Sequence, residues 1–158
     1  MNFRTGRIHD VVVRDLVRHT DPRGWLIEIF RHDEIPSELY PVMSYVSMTA
    51  PGVVRGPHEH ADQADFFAFI GPSTFRIFLW DARKDSATYG QHQVFDAGEA
   101  QPRAVVVPAG VVHAYKNIGD RPGMVINSPN RLFGGWGRKE PVDEIRHELN
   151  PSTIYRVE

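Results

Sequence analysis

Short apolar runs separated by glycine and proline dominate the hydrophobic and polar pattern of this chain. Residues 65–70 (DFFAFI) and 74–80 (TFRIFLW) are rich in aromatic side chains and too short for helices. Such runs are typical of buried strands. Residues 42–49 (VMSYVSMT) instead alternate apolar with small polar side chains, which indicates a strand that is buried on one face only.

The rest of the pattern predicts further short strands joined by turns. These strands are residues 11–13, 25–30, 91–95, 104–107, 113–117 and 124–127. Predicted turns lie at residues 19–24, 96–98 and 119–123, and residues 81–90 form a charged loop. Helical structure is limited to one turn within residues 31–40 and a short helix at 141–150. The elements together predict an all-β jelly-roll barrel with short helical segments.

Composition and charge restrict the possible functions. A chain of 158 residues is long enough to bury a core, and we expect a single domain over residues 1–158. A formal net charge of −2 and no long run of Lys or Arg argue against a nucleic-acid partner. The chain has no cysteine, hence no disulfide and no thiolate ligand. Neither a signal-peptide core nor an apolar run of the roughly 18 residues that a membrane span needs is found. The sequence therefore predicts a soluble, cytoplasmic protein.

Three of the eight histidines have a spacing that brings reactive groups together. His58 and His60 are two residues apart, Asp65 follows, and His113 stands behind a Pro-x-Gly turn. If both stretches are strands, His58 and His60 point to one face, and a paired strand brings His113 to them. Imidazoles suit proton transfer near neutral pH, and together with a carboxylate they also suit a divalent metal ion. The residues alone leave both uses open.

Two segments carry a family resemblance. Residues 52–71 (GVVRGPHEHADQADFFAFIG) and 108–117 (PAGVVHAYKN) resemble the two cupin motifs, G-x5-H-x-H-x4-E-x5/6-G and P-x-G-x2-H-x3-N, with Asp65 in place of glutamate. HTDPRGWLIEIF, VVRGPH, DARKDSATYG and VPAGVVHAY further resemble segments of the dTDP-4-dehydrorhamnose 3,5-epimerases. The resemblance extends over residues 19–117 and is looser beyond them.

The resemblance implies a homodimeric cupin-type antiparallel jelly roll that binds a nucleotide-linked 4-keto-6-deoxyhexose and requires no cofactor. His58 would be the base that removes a proton next to the ketone. His113 would lie near the sugar, and Arg55 and Arg23 would contact the substrate or its diphosphate, with Arg23 reaching into the neighbouring subunit's site. The expected activity is an epimerase or isomerase reaction of deoxysugar biosynthesis, such as that of rhamnose.

Three departures from the family pattern alter the expected site. His60 stands where the family has a glutamine, and Asp65 aligns with its active-site lysine, which places Asp65 at the substrate. Residues 130–133 (NRLF) contain no tyrosine where the family has its catalytic one. Tyr115 lies two residues from His113, therefore on the same face of a strand, and is the candidate replacement for the missing acid.

Three alternative functions remain open. The R-G-x-H-x-H segment resembles the sugar-nucleotide 3,4-ketoisomerases, in which both histidines of the pair, here His58 and His60, serve proton transfer. A metal-dependent cupin would bind Zn, Fe, Ni or Mn through His58, His60, Asp65 and His113. A non-catalytic sugar-binding cupin would have kept the pocket and lost the acid.

The C-terminal segment adds two weaker expectations. Trp136, placed between glycines, could stack on a nucleobase or cap the core. One of the acids Asp143, Glu144 and Glu148 could cover the barrel mouth or orient His58.

Overall fold

The computed structural model describes residues 2–158, and strands are its main regular elements. In chain order they are β1 (Arg4–Thr5), β2 (Val12–Asp15), β3 (Arg18–Asp21), β4 (Gly24–Ile27), β5 (Tyr45–Thr49), β6 (Val54–Glu59), β7 (Asp65–Phe69), β8 (Thr74–Asp81), β9 (Gln91–Gly98), β10 (Arg103–Val107), β11 (Val111–Asn117), β12 (Gly123–Asn127) and β13 (Ile145–Arg146). Short 3-10 helices lie at Ser37–Leu39, Trp136–Arg138 and His147–Leu149. Among residues 2–158, no helix has the length and apolar character needed to cross a membrane.

The strands form two large sheets and one hairpin. The six-stranded sheet has the order β1-β9-β8-β11-β6-β13, and the five-stranded sheet has the order β2-β10-β7-β12-β5. Within the described residues, the strand pairs are antiparallel except β1 with β9. Strands β3 and β4 form a separate two-stranded hairpin. The arrangement is an antiparallel jelly-roll barrel, and the predicted fold class is confirmed.

The apolar strand β7 is buried on both faces, which explains its continuous run of hydrophobic residues. Phe67 and Phe69 belong to the main core, together with Leu79 of β8. Successive side chains of a strand point to opposite faces. Phe66 accordingly joins a second apolar cluster, which residues from 27 to 39 cover. The core thus holds β7 in the middle of its sheet and fixes the position of Asp65 at its start.

Several predicted elements differ from the structure. The helix predicted at residues 141–150 is wrong, because Ile145–Arg146 pairs with the edge of β6 and only His147–Leu149 forms a 3-10 turn. The turn predicted at 96–98 is wrong, because β9 stays paired with β8 as far as Gly98. The turn predicted at 19–24 is shorter, because His19 lies within the β3–β4 hairpin. In each case, pairing with a strand decides the conformation of a segment whose local sequence favours another one.

Candidate active site

A cavity of about 950 Å³ lies between the edges of the two sheets and the C-terminal loops. His58 and His60 of β6 line it on one side, and Tyr45 of β5 lines it on the other sheet. The loops that complete the wall are residues 61–63, 129–136 and 140–144. The cavity is therefore open to a small molecule at the point where the predicted histidine pair lies.

The strand register brings the three predicted histidines together. His58 lies directly opposite His113 in the β6–β11 pair, and β13 places Arg146 opposite His58 on the other edge. The ring centroids of His58 and His113 are 4.3 Å apart at an interplanar angle of 70°. His60 projects on the same side, with its ring centroid 5.8 Å from that of His58 and 5.9 Å from that of His113. The convergence predicted from the His-x-His spacing is thus present in the structure.

Asp65 completes this group from the facing sheet. Its carboxylate is 1 % exposed, and Oδ1 accepts hydrogen bonds from the side-chain amides of Gln63 at 2.8 Å and Asn127 at 2.9 Å. Oδ2 lies 3.2 Å from Nε2 of His60 and 3.1 Å from Nε2 of His113. One ligand atom from each of His58, His60, Asp65 and His113 lies within 4.8 Å of the others.

The outer nitrogens of two of these imidazoles are fixed by main-chain carbonyl groups. Nδ1 of His113 lies 3.1 Å from the carbonyl oxygen of Val111, and Nδ1 of His60 contacts the carbonyl oxygen of Asp143. A carbonyl oxygen can only accept, so each Nδ1 carries a proton and each neutral ring presents the lone pair of Nε2. Nε2 of His113 and Oδ2 of Asp65 are buried without an aligned hydrogen-bond partner. The lone pairs thus point toward one another, and a cation or a shared proton would stabilise them.

The environment shifts the acidity of these groups in different directions. Burial, supported by the neighbouring His113, lowers the pKa of His58 to about 2. Burial also acts to lower the pKa of His60, but the Asp65 carboxylate outweighs it and raises the pKa. Burial acts to raise the pKa of Asp65, yet His113 and His60 hold it well below its usual value. His58 is therefore a neutral imidazole at the cavity wall, beside an ionised Asp65.

The remaining predicted residues lie outside this cluster. Tyr115 is in the main core, where its ring packs edge-on against Phe67, Phe69 and Phe75 and its hydroxyl lies 3.2 Å from Oγ of Ser47. Arg55 donates hydrogen bonds to the Thr49 hydroxyl and the Met48 carbonyl group, both on β5.

Arg23 lies at the tip of the β3–β4 hairpin. Its side chain is 91 % exposed and forms an ion pair with Asp21 at 2.5 Å. The cavity wall includes neither Tyr115, Arg55 nor Arg23.

Several residues of the site were missed by sequence reasoning. Tyr45 and Asn127 are joined by a hydrogen bond of 2.8 Å, and Asn127 also holds Asp65. Asp143, a sequence candidate for orienting His58, has a different role: its carbonyl oxygen contacts His60, and its carboxylate accepts hydrogen bonds from the backbone N–H groups of residues 61–63. The contacts of Tyr45 and Asp143 bridge some 80 residues of sequence, so no local motif signals them.

A jelly-roll barrel with three histidines and a carboxylate converging at its inner wall defines a cupin. The model of the dTDP-4-dehydrorhamnose 3,5-epimerase family matches residues 5–128. The chain therefore belongs to the dTDP-4-dehydrorhamnose 3,5-epimerase family.

Two curated relatives resemble the chain over most of its length. It is 42% identical over 127 residues to the probable low-salt glycan biosynthesis epimerase Agl13 of Haloferax volcanii, covering 80% of this chain and 81% of Agl13. It is 35% identical over 119 residues to the spore coat polysaccharide biosynthesis protein SpsL of Bacillus subtilis, covering 75% of this chain and 78% of SpsL.

Solved structures share the fold at lower identity. The enzyme RmlC of Legionella pneumophila, a dTDP-6-deoxy-D-glucose-3,5-epimerase solved with dTDP-4-keto-L-rhamnose, superposes with a TM-score of 0.76 at 18% identity. That superposition covers 99% of this chain and 84% of the other. ChmJ of Streptomyces bikiniensis, a 3'-monoepimerase solved with dTDP-quinovose, gives a TM-score of 0.75 at 19% identity over 100% of this chain and 81% of ChmJ. At 18–19% identity, these similarities are evidence for a shared fold only.

Proposed function

We propose that the chain is an epimerase or isomerase of a nucleotide-linked 4-keto-6-deoxyhexose that acts by removing a proton next to the ketone. The observation that carries the proposal is the neutral imidazole of His58 at the cavity wall, paired in register with His113. Family membership supports the reaction class, and the dTDP-sugars bound to RmlC and ChmJ support the substrate class.

In the proposed reaction, His58 accepts the proton of a carbon next to the C4 ketone. The electron pair of the broken C–H bond forms the enolate, and return of a proton to the opposite face of that carbon inverts it. A base with a pKa near 2 is weak, so the reaction requires strong stabilisation of the enolate. Arg146 lies opposite His58 and lines the cavity; its Nε donates to Glu144 at 2.6 Å, and its terminal nitrogens are suited to that role.

The cavity also has groups suited to a sugar nucleotide. Arg138 lines it together with Arg146, and a guanidinium binds diphosphate oxygens in a planar, two-point geometry. Arg131 lines it too, but its guanidinium is bound by the Asp62 carboxylate. Trp136 lines the same wall with 83 % of its surface exposed, which suits stacking on a nucleobase. A contact of Asp65 or Arg55 with the substrate stays a prediction.

The proposal includes a homodimer. The β3–β4 hairpin stands apart from both sheets, presents Trp25 and Leu26 to solvent and carries Arg23 at its tip. A second copy would cover these apolar side chains and receive Arg23 near its cavity. The molar mass in solution, measured by light scattering for the wild type and an Arg23→Ala/Trp25→Ser variant, tests this arrangement. The cytoplasmic location and the single-domain boundaries stay predictions.

A proton NMR time course of dTDP-4-keto-6-deoxyglucose with the protein in deuterated buffer tests the reaction. We expect the signal of the C3 or the C5 proton to disappear, and the carbon concerned identifies the reaction. Migration of the ketone to C3 would indicate the ketoisomerase alternative. An unchanged spectrum at high protein concentration would contradict the proposed function.

A second candidate is a metal-dependent cupin, favoured by the lone pairs that converge at His60, His113 and Asp65. Main-chain carbonyl groups hold the two imidazoles and side-chain amides hold the Asp65 carboxylate, as metal ligands generally require, so the residues fit a divalent ion such as Zn, Fe, Ni or Mn. His58 would be the fourth ligand, and a bound ion would act as a Lewis acid at the cavity wall.

Elemental analysis of the purified protein, before and after dialysis against a chelator, separates the two candidates. One equivalent of metal in the wild type, its loss in Asp65→Asn and loss of turnover on chelation would favour the metal-dependent cupin. Unchanged turnover after complete chelation would exclude it. A metal-free protein that neither turns over nor exchanges protons, yet binds the nucleotide sugar, would favour the non-catalytic sugar-binding cupin.

A further inference from the structure

The proposed epimerisation needs a proton donor as well as a base. Inversion requires that a proton be taken from one face of the carbon and returned to the other. Residues 130–133 (NRLF) contain no ionisable group except Arg131, whose guanidinium stays protonated. Tyr115 is 6 % exposed and lies outside the cavity wall. The donor must therefore be sought among the side chains that do line the cavity.

Tyr45 lines this cavity from the opposite sheet. It begins β5 in the five-stranded sheet, whereas His58 is on β6 in the six-stranded sheet, and both reach the same cavity. A flat sugar enolate between the two walls would have the imidazole on one face and the phenol on the other. This is the placement that inversion of a carbon requires.

The hydrogen bonding of Tyr45 leaves its proton free. The side-chain amide of Asn127 donates to the Tyr45 oxygen at 2.8 Å and to Asp65 at 2.9 Å. An amide nitrogen of asparagine can only donate, so the Tyr45 hydroxyl accepts this bond and keeps its own hydrogen. Among the described residues, no acceptor for that hydrogen is found, so it is available to a ligand in the cavity. Asn127 lies opposite Tyr45 in the β5–β12 pair, which fixes the phenol in place.

We propose that Tyr45 is the proton donor of the reaction, delivering its hydroxyl hydrogen to the face of the enolate opposite His58. The inference rests on the proposed function. His58 takes the C–H proton and becomes imidazolium, and the C–H electron pair forms the enolate. Tyr45 then gives its proton to the same carbon, which restores the ketone and leaves a phenolate. Exchange with water returns a proton to Tyr45 and removes one from His58.

Partial burial raises the pKa of Tyr45 to about 12, against the opposing effect of the Asn127 hydrogen bond. The phenol is therefore protonated at neutral pH, as a donor must be before each turnover. Together with the geometry, this supports the assignment.

The test compares isotope exchange with epimer formation in deuterated buffer. In Tyr45→Phe, we expect removal and return of the proton on the His58 face to continue within about threefold of the wild-type rate. Formation of the epimer should fall by about 10²- to 10⁴-fold, the usual contribution of a positioned acid. Tyr89→Phe, a half-exposed tyrosine in the loop between β8 and β9, is the matched control and should retain both rates.

A merely structural effect of the substitution would lower proton exchange and epimer formation together, whereas loss of the donor lowers only epimer formation. Epimer formation at the wild-type rate in Tyr45→Phe would overturn the proposal, as would an equal fall in exchange and epimer formation. If Tyr115→Phe retained proton exchange but lost epimer formation, and Tyr45→Phe did not show this pattern, the donor would be Tyr115 instead. If the wild type itself exchanges no proton, the proposed function fails and the role of Tyr45 fails with it.

Discussion

His58 and His113 lie directly opposite each other on β6 and β11, with ring centroids 4.3 Å apart. His58 lines the cavity, whereas His113 is 3 % exposed and lies behind it, between His58 and the core residue Phe67. His58 is thus the imidazole that a substrate can reach, and His113 is the imidazole that supports it from behind.

Replacing His58 with asparagine removes the proposed base and keeps a polar side chain of moderate size. We expect proton exchange next to the ketone to fall by about 10²- to 10⁴-fold, because the carbon acid loses its positioned acceptor. NMR exchange rates measure this, with His9→Asn as control because His9 is exposed and pairs with Asp10. Exchange at the wild-type rate in His58→Asn would contradict the role of His58.

The loop between β6 and β7 depends on Asp143. Its carboxylate accepts the N–H groups of Ala61, Asp62 and Gln63 at 2.7–2.9 Å. In Asp143→Ala, we expect faster hydrogen–deuterium exchange at these three amides and a stability loss of about 1–3 kcal/mol, because bonds to a charged acceptor are lost.

Turnover should fall in Asp143→Ala as well, because loss of the carboxylate bonds lets residue 143 shift, and its main-chain carbonyl group contacts His60. Glu148→Ala, in the same C-terminal segment, is the control and should leave the amides of residues 61–63 unchanged. Equal protection in both variants would show that Asp143 does not hold the loop.

The predictable part of the site is the part encoded in regular strands. His58, His60 and His113 could be placed together because residues two apart share a face and because β11 pairs with β6. The all-β fold class followed from short apolar runs with the length of strands. By contrast, the strand at Ile145–Arg146 could not be predicted, because pairing with the edge of β6, and not its own helix-favouring sequence, decides its conformation.

Close backbone packing beside the histidine pair requires a glycine at position 56. Gly56 has φ of +82°, and an added Cβ would lie 2.5 Å from the carbonyl oxygen of His113 and 3.0 Å from Nδ1 of His58. Gly52 has a similar φ of +74° but has no heavy atom within 4 Å of the added Cβ. Comparing alanine substitutions at the two positions therefore separates the cost of the left-handed backbone from the cost of the steric clash at position 56.

We expect Gly52→Ala to lose about 1–2 kcal/mol through the left-handed backbone alone. Gly56→Ala should lose about 1–3 kcal/mol more, since the β6–β11 pair must open. Urea denaturation measures both, and turnover should fall only in Gly56→Ala, where His58 is displaced. Equal stability losses in the two variants would show that the strand pair accommodates the methyl group.

The segment DARKDSATYG, noted above for its family resemblance, is organised by a buried carboxylate at the end of β8. Asp81 is 0 % exposed and accepts hydrogen bonds from the hydroxyls of Ser86 and Thr88, both at 2.6 Å, and from the guanidinium of Arg83 at 2.9 and 3.0 Å. Burial acts to raise the pKa of Asp81, but Arg83, Ser86 and Thr88 outweigh it and lower the pKa to about 2. The loop between β8 and β9 is therefore stabilised by an ionised group.

Asp81→Asn should destabilise the protein at pH 7 by about 1–3 kcal/mol, because charged hydrogen bonds become neutral ones. The folded-state pKa is depressed below the ordinary value of 3.8, so the unfolded chain takes up the proton first. The contribution of the carboxylate is hence complete above about pH 4 and is lost as the pH falls toward about 2. Urea denaturation of wild type and variant at pH 7 and pH 3 should show a smaller difference in the free energy of unfolding at pH 3.

The control is Asp96→Asn, which breaks an exposed pair with Arg76 and should cost less than about 1 kcal/mol at pH 7. A difference between wild type and Asp81→Asn that is the same at both pH values would mean that the Asp81 carboxylate is not ionised in the folded protein.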